Sequence, residues 1–213
     1  MSSVPRTSAG TADSTRDRLL QAAREVVAED GLEGLTLRAI ARRAGVSHGA
    51  PLRHFPTLAA LLAAVAADGF ARLHATVEGH LAAAERDAPA RRPLDPRRRI
   101  AIAGRAYVDF ALADPGVFSV TFRPERVDVT DPTYQAQGAR AFDQLVRLVA
   151  AAQADGWQPD EPATDLAAVL WANVHGLATL ALHGGLDIVG EGAIDRLPAL
   201  SSVLVLGPQG DPS

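Results

Sequence analysis

Cysteine is missing from all 213 residues, and so is lysine. The first absence excludes disulfides, thiolate nucleophiles and zinc held by cysteine. The second leaves arginine as the only strong cation, 21 times over, a composition that reflects codon bias rather than activity. Aromatic side chains make up 5% of the chain. No uninterrupted apolar run approaches the ~20 residues needed to cross a bilayer, and the polar opening MSSVPRTSAGTADSTRD holds no apolar signal core. A membrane partner and secretion are therefore not expected, and a cytoplasmic location is. Nucleophile–base pairs, carboxylate dyads, glycine-rich phosphate loops and metal-ligand spacings do not occur, so no enzymatic activity, cofactor or metal is expected.

What is present is helical periodicity. Leu19, Ala22, Ala23, Val26 and Val27 repeat on one helix face, with Ser14 and Asp17 resembling a capping box and Gly31 suited to close the helix. Thr36 is placed to cap a short second helix with Leu37, Ile40, Ala41 and Ala44 on one side, and Gly45 ends it. Ser47 is placed to cap a third helix over 47–54, with Pro51 near its first turn. A long helix follows over 57–87. Asp95-Pro96 and Asp131-Pro132 mark two further starts, Asp114-Pro115 a break between helices, and Thr164 the start of an apolar helix to about 183. A last apolar stretch, 191–206, is interrupted by Pro198. The expected fold is all-α, with a disordered leader at 1–13, a helix-turn-helix domain at 14–56, a larger helical domain at 57–207 and a tail at 208–213.

The stretch SHGAPLRHF, residues 47–55, decides the function class. Two short helices joined by a glycine turn form a helix-turn-helix or, as the less favoured reading of the spacing, a plain helix pair in a bundle. His48 and His54 lie six apart with no orienting acid nearby, which speaks against a metal or catalytic pair. Charge favours a recognition surface. Residues 1–56 carry eight arginines against six carboxylates, a surplus of two, so the remainder must be −6 to give the chain's −4. A second helix presenting His48, Gly49, Ala50 and Arg53 fits the B-DNA major groove, about 12 Å wide.

The segment GLEGLTLRAIARRAGVSHGAPLRHFPTLAALLAAVA resembles the N-terminal domain of TetR-type transcriptional regulators, over about residues 14–67. WANVHG at 171–176 is similar to the W-x-x-x-H-G element of a ligand domain in one branch of that family. The resemblance implies an all-helical homodimer on a palindromic double-stranded DNA operator, released when a small molecule binds, and more often a repressor. It also implies that Thr36 and Arg38 reach phosphate or base, that Ser47, His48, Gly49, Ala50 and Arg53 line the recognition helix, and that His54 touches the backbone. Two positions depart from the family pattern. Leu52 stands where tyrosine is common and Leu58 where lysine is common, and leucine holds no phosphate. The rival expectation is a helical small-molecule-binding protein whose DNA contacts have weakened or been lost.

In the C-terminal half Phe70, Tyr107, Phe110, Phe118, Phe122, Phe142 and Trp171 are expected to line an apolar effector site, with His74, Tyr107 and His175 as its polar groups. An aromatic stripe at helical spacing is as often plain core. Few charges lie on these stripes, so an apolar or aromatic effector is expected. Leu170, Leu177, Leu200, Val203 and Leu204 need a second apolar surface, which a four-helix bundle between two copies would provide.

Overall fold

The computed structural model describes residues 9–88, 94–190, 192–193 and 196. The expectations for the closing stretch 191–206, including Leu200, Val203 and Leu204, and for the tail 208–213 lie outside these residues, or almost wholly so. Among the described residues there are eight α-helices and no strand, as the periodicity predicts. They are α1 (Ala9–Asp30), α2 (Leu37–Arg43), α3 (Ala50–His54), α4 (Leu58–Asp87), α5 (Pro96–Ala113), α6 (Pro115–Thr121), α7 (Pro132–Ala154) and α8 (Ala163–Leu182).

Caps set most of these boundaries. Thr36 accepts the Ala39 N–H at 3.1 Å, Thr57 that of Ala60 at 3.0 Å, and Asp95 that of Arg97 at 2.7 Å. Asp131 accepts two, from Thr133 and Tyr134 at 2.9 Å each. Each bond satisfies a donor that the helix itself leaves orphaned. Three expected caps fail. α1 begins at Ala9, within the expected leader, so Ser14 and Asp17 lie inside it. α3 begins at Ala50 after an uncapped Gly49, so Ser47 contributes its carbonyl and not its hydroxyl. α8 begins at Ala163 behind Pro162, which places Thr164 in the first turn.

The chain forms two compact units, Met1–Gly69 with Gly116–Gln135, and Phe70–Pro115 with Ala136–Ser213. The division between these units falls within α4. In the first unit, Leu19, Ala22, Ala23, Val26 and Val27 of α1 are buried with Ile40, Ala41, Leu61, Leu62 and Val65. α6 belongs here through two glycine contacts. A Cβ on Gly116 would stand 2.8 Å from Val27 Cγ1, and one on Gly69 would stand 2.0 Å from Thr121 Oγ1. Arg126 ties the segment after α6 to the turn after α1, donating to the Leu32 carbonyl at 2.8 Å.

The second unit packs α5 on α8 around Ile100, Val149, Ala152 and Ala167, with Phe142, Leu145, Trp157 and Leu170 against them. Leu170 therefore finds its apolar surface within its own protomer, contrary to expectation, because it lies on the same side of α8 as Ala167 (i, i+3). α4 and α8 are both long and apolar enough to cross a membrane by length and composition, which a search for uninterrupted apolar runs misses. The α4 window is 44% buried and the α8 window 11%. α4 is thus substantially accounted for as a core helix, whereas α8 leaves most of its apolar surface open.

Candidate functional site

The helix-turn-helix is held by groups that the local pattern does not reveal. At the end of α2, Gly45 adopts φ +63°, a conformation that costs other residues more. The turn closes with Val46 N–H on the Ala41 carbonyl at 3.0 Å. Arg18, from the middle of α1, donates to the carbonyls of Ala44 at 2.5 Å and Gly45 at 3.2 Å. It thereby supplies partners that the helix end lacks. Arg43 pairs with Glu29 and, at 3.7 Å, with Glu25. The Glu29 hydrogen bond holds the Arg43 guanidinium firmly charged and lowers the Glu29 carboxyl. Arg18 and Arg43 are thus engaged within the protein.

Arg38, Ser47, His48, Gly49 and Arg53 are exposed, as is Thr36 around its cap, while His54 is half-buried. Ala50, expected on the outer surface, is 8% exposed and packs inward with Pro51. The reason is the late start of α3, which rotates position 50 toward the core. Phe55 closes the base of the helix, with the Arg16 guanidinium 5.3 Å over its ring. Arg53 lies 3.5 Å from the Ser47 hydroxyl. The outcome is one outward face of donors and small residues on a buried apolar base. Its exception is Leu52, 56% exposed.

In the second unit the WANVHG segment lies on α8. Trp171 and His175, one turn apart, both reach Tyr107 of α5. The Trp171 Nε1–H donates to Tyr107 Oη at 3.3 Å, and Tyr107 Oη stands 2.7 Å from His175 Nδ1. Burial raises the Tyr107 phenol above its ordinary range, partly offset by the Trp171 hydrogen bond, and burial lowers the His175 imidazole. Both shifts favour neutral forms. The consistent assignment is a chain in which the indole donates to the phenol and the phenol donates to an imidazole protonated on Nε2. Phe142 meets the indole edge-on at 6.1 Å.

Of the nine sequence-predicted effector residues, Tyr107, Phe142, Trp171 and His175 come together, and Phe110 is buried on the same helix as Tyr107. Phe70 and His74 lie on α4 against α7. The Phe70 ring stands 3.3 Å from where a Gly138 Cβ would be, and the His74 carbonyl receives Gln144 Nε2 at 3.4 Å. His74 Nδ1 is buried without a hydrogen-bond partner. Phe118 and Phe122 meet with tilted rings, centroids 5.0 Å apart, in the first unit. The sequence reading missed the Gln144–Glu78 bond of 2.6 Å beside His74. Gln144 gave no signal at all.

Two family models match the chain. Residues 19–65 match that of bacterial regulatory proteins of the tetR family, and residues 100–199 that of the tetracyclin repressor-like C-terminal domain. No curated protein sequence matches. Among solved structures, a Rhodococcus protein of unknown function is 35% identical, with 90% of this chain and 93% of that one covered and a TM-score of 0.74. A Rhodococcus transcriptional regulator is 26% identical (92% and 99% covered, TM-score 0.62). A TetR family transcription regulator from Marinobacter aquaeolei is similar in fold at 19% identity (93% and 96% covered, TM-score 0.68).

Proposed function

The chain belongs to the TetR family of bacterial regulatory proteins, and from that premise we propose a cytoplasmic, ligand-responsive repressor that binds a palindromic operator as a homodimer. The observation that carries the DNA reading is the outward face formed by Ser47, His48, Gly49 and Arg53, beside Thr36 and Arg38. Its donors suit purine N7 and O6 and phosphate oxygens, and Gly49 admits close approach. His54, at the end of α3, would touch the backbone. Ala50 contributes by packing, not by contact. Nothing in this reading calls for catalysis.

The homodimer is supported by α8. Val169 is 61% and Leu180 49% exposed on a helix whose buried residues are Ala167 and Ala178. A second copy of the chain laid against this face removes that apolar surface from water. The two recognition helices would then stand about one DNA turn, ~34 Å, apart.

The effector site is centred on Tyr107, Phe110, Trp171 and His175, with Phe70 and His74 as its α4 contribution. Phe118 and Phe122 fall outside it. The apolar surroundings fit a small apolar or aromatic molecule, and the W-x-x-x-H-G element would mark the branch of the family that uses this site. Buried polar groups cost free energy unless paired, so a hydrogen-bonding group on the effector would find a use at His74 Nδ1.

A mobility-shift assay of the full chain on the DNA flanking its own gene tests the reading. A shifted band at nanomolar protein that survives competitor DNA is expected. The rival, a helical small-molecule binder without DNA affinity, is favoured by the exposed leucine in the recognition helix. Effector binding by calorimetry with no shift on any duplex would establish the rival instead.

A further inference from the structure

Leu52 lies mostly outside the protein's own packing. Within residues 36–55 it is the only large apolar side chain that is exposed, at 56%. Ala50, Pro51 and Phe55 around it are buried, so the helix needs nothing more from this position. Its neighbours on the outward face are the polar Ser47, His48 and Arg53. Beside it Gly49 has open space, with no atom within 4 Å of where a Cβ would stand. A surface approaching this face therefore meets hydrogen-bond donors around a single branched aliphatic group, with no bulk to hold it off.

A leucine offers a phosphate neither a donor nor a charge, so it adds nothing to backbone positioning. It can only exchange water for an apolar contact. On the floor of the major groove the apolar feature is the C5-methyl group of thymine, and aliphatic side chains discriminate thymine by touching it. If Arg53 and His48 set register through hydrogen bonds, the exposed Leu52 on the same short helix would be carried to a base edge. Resting on the DNA-binding reading above, we propose that Leu52 reads one thymine in each half-site through its methyl group. It is a specificity-determining residue, and the family's phosphate contact at this position is exchanged here for direct base readout.

The experiment begins with duplexes enriched by the full-length protein from a random-sequence pool. Each thymine of the recovered site is then replaced, symmetrically in both half-sites, by deoxyuridine, which removes the methyl group and keeps every hydrogen-bonding atom. Loss of one methyl-sized contact lowers affinity about fourfold, and the symmetric pair about 15-fold. The expected scan is flat except at one thymine per half-site, and Leu52→Ala makes that position flat as well. Leu52 is exposed, so the variant is expected to keep the wild-type melting profile, and the scan on wild-type protein needs no variant at all. A flat wild-type scan overturns the proposal, as does an equal deoxyuridine loss in Leu52→Ala. Failure to enrich any duplex overturns the DNA-binding reading itself, a result distinct from enrichment without methyl dependence.

Discussion

The two compact units solve burial differently. The first encloses its apolar residues, with Leu19, Ile40, Leu61 and Val65 all at 0% exposure, and presents an outer face of arginine, histidine, serine and glycine. The second keeps a small closed core around Ile100 and Val149, yet leaves α8, apolar nearly throughout, with two buried residues. A unit that is complete alone can devote its surface to reading another molecule. A unit that leaves an apolar helix uncovered is the one whose stability the proposed second copy would change.

The sharpest way to break this contrast is to charge the open face of α8. Val169→Glu with Leu180→Glu alters two exposed positions, so the protomer should still fold. Sedimentation should show the wild type at twice the 22.3 kDa chain mass and the variant at one chain mass. Losing the linked second half-site should lower operator affinity by about 10²- to 10⁴-fold. A variant that remains dimeric, or a wild type that is monomeric at micromolar concentration, would mean that α8 is not the interface.

On the other side of the comparison, single changes on the outer face of the first unit should cost less and leave assembly alone. Arg53→Ala should weaken operator binding by about 5- to 150-fold per half-site, the worth of one bidentate base contact at 1–3 kcal/mol, with an unchanged sedimentation profile. Binding as tight as wild type would remove Arg53 from the readout. Smaller again is Leu58→Lys at the start of α4, where leucine stands in place of the family's common lysine. Each added phosphate contact contributes about 0.9 to the slope of log affinity against log salt, so a dimer gains nearly 2. Halving the salt would then bring an extra gain of roughly 3.5-fold. An unchanged slope would show that the N-terminus of α4 does not face phosphates.

How legible all this was follows the same division. Caps and turns are local signals, and Thr36, Asp95, Asp131 and Gly45 act as their chemistry predicts. Ser47 and Thr164 carry the same signal and do not cap, because the helices beside them begin elsewhere. Long-range choices were hidden. Arg18 reaches Ala44 across 26 positions, and Tyr107 reaches His175 across 68. No periodicity distinguishes these partners from other arginines or tyrosines. Val169 and Leu170 are adjacent and both apolar, but one faces water and the other the core. On a helix that is apolar on every side, sequence alone does not tell which face is the inner one.

The smallest expected effect concerns pH. Burial lowers the His175 imidazole from its ordinary 6.5, so the folded protein binds this proton less readily than the unfolded chain does. Between the lowered value and 6.5 the unfolded state holds more protons, and stability falls as pH falls. The neutral ring's contribution is fully present above 6.5 and is lost as pH drops through the folded value. Protonation would also place a hydrogen on Nδ1, so that indole and imidazole both direct donors at Tyr107 Oη and the phenol's own proton loses its acceptor. His175→Asn removes the titrating group at the cost of a constant penalty. Thermal melts from pH 8 to 5 should therefore show the gap between wild type and variant widest at high pH, narrowing as pH passes below 6.5. The common titration of surface carboxylates cancels in that difference. The effect is small because the ring is only half-buried. A gap that stays constant across the range would mean that His175 is no more desolvated in the folded protein than in the unfolded chain, and the neutral hydrogen-bond chain through Tyr107 would lose its basis.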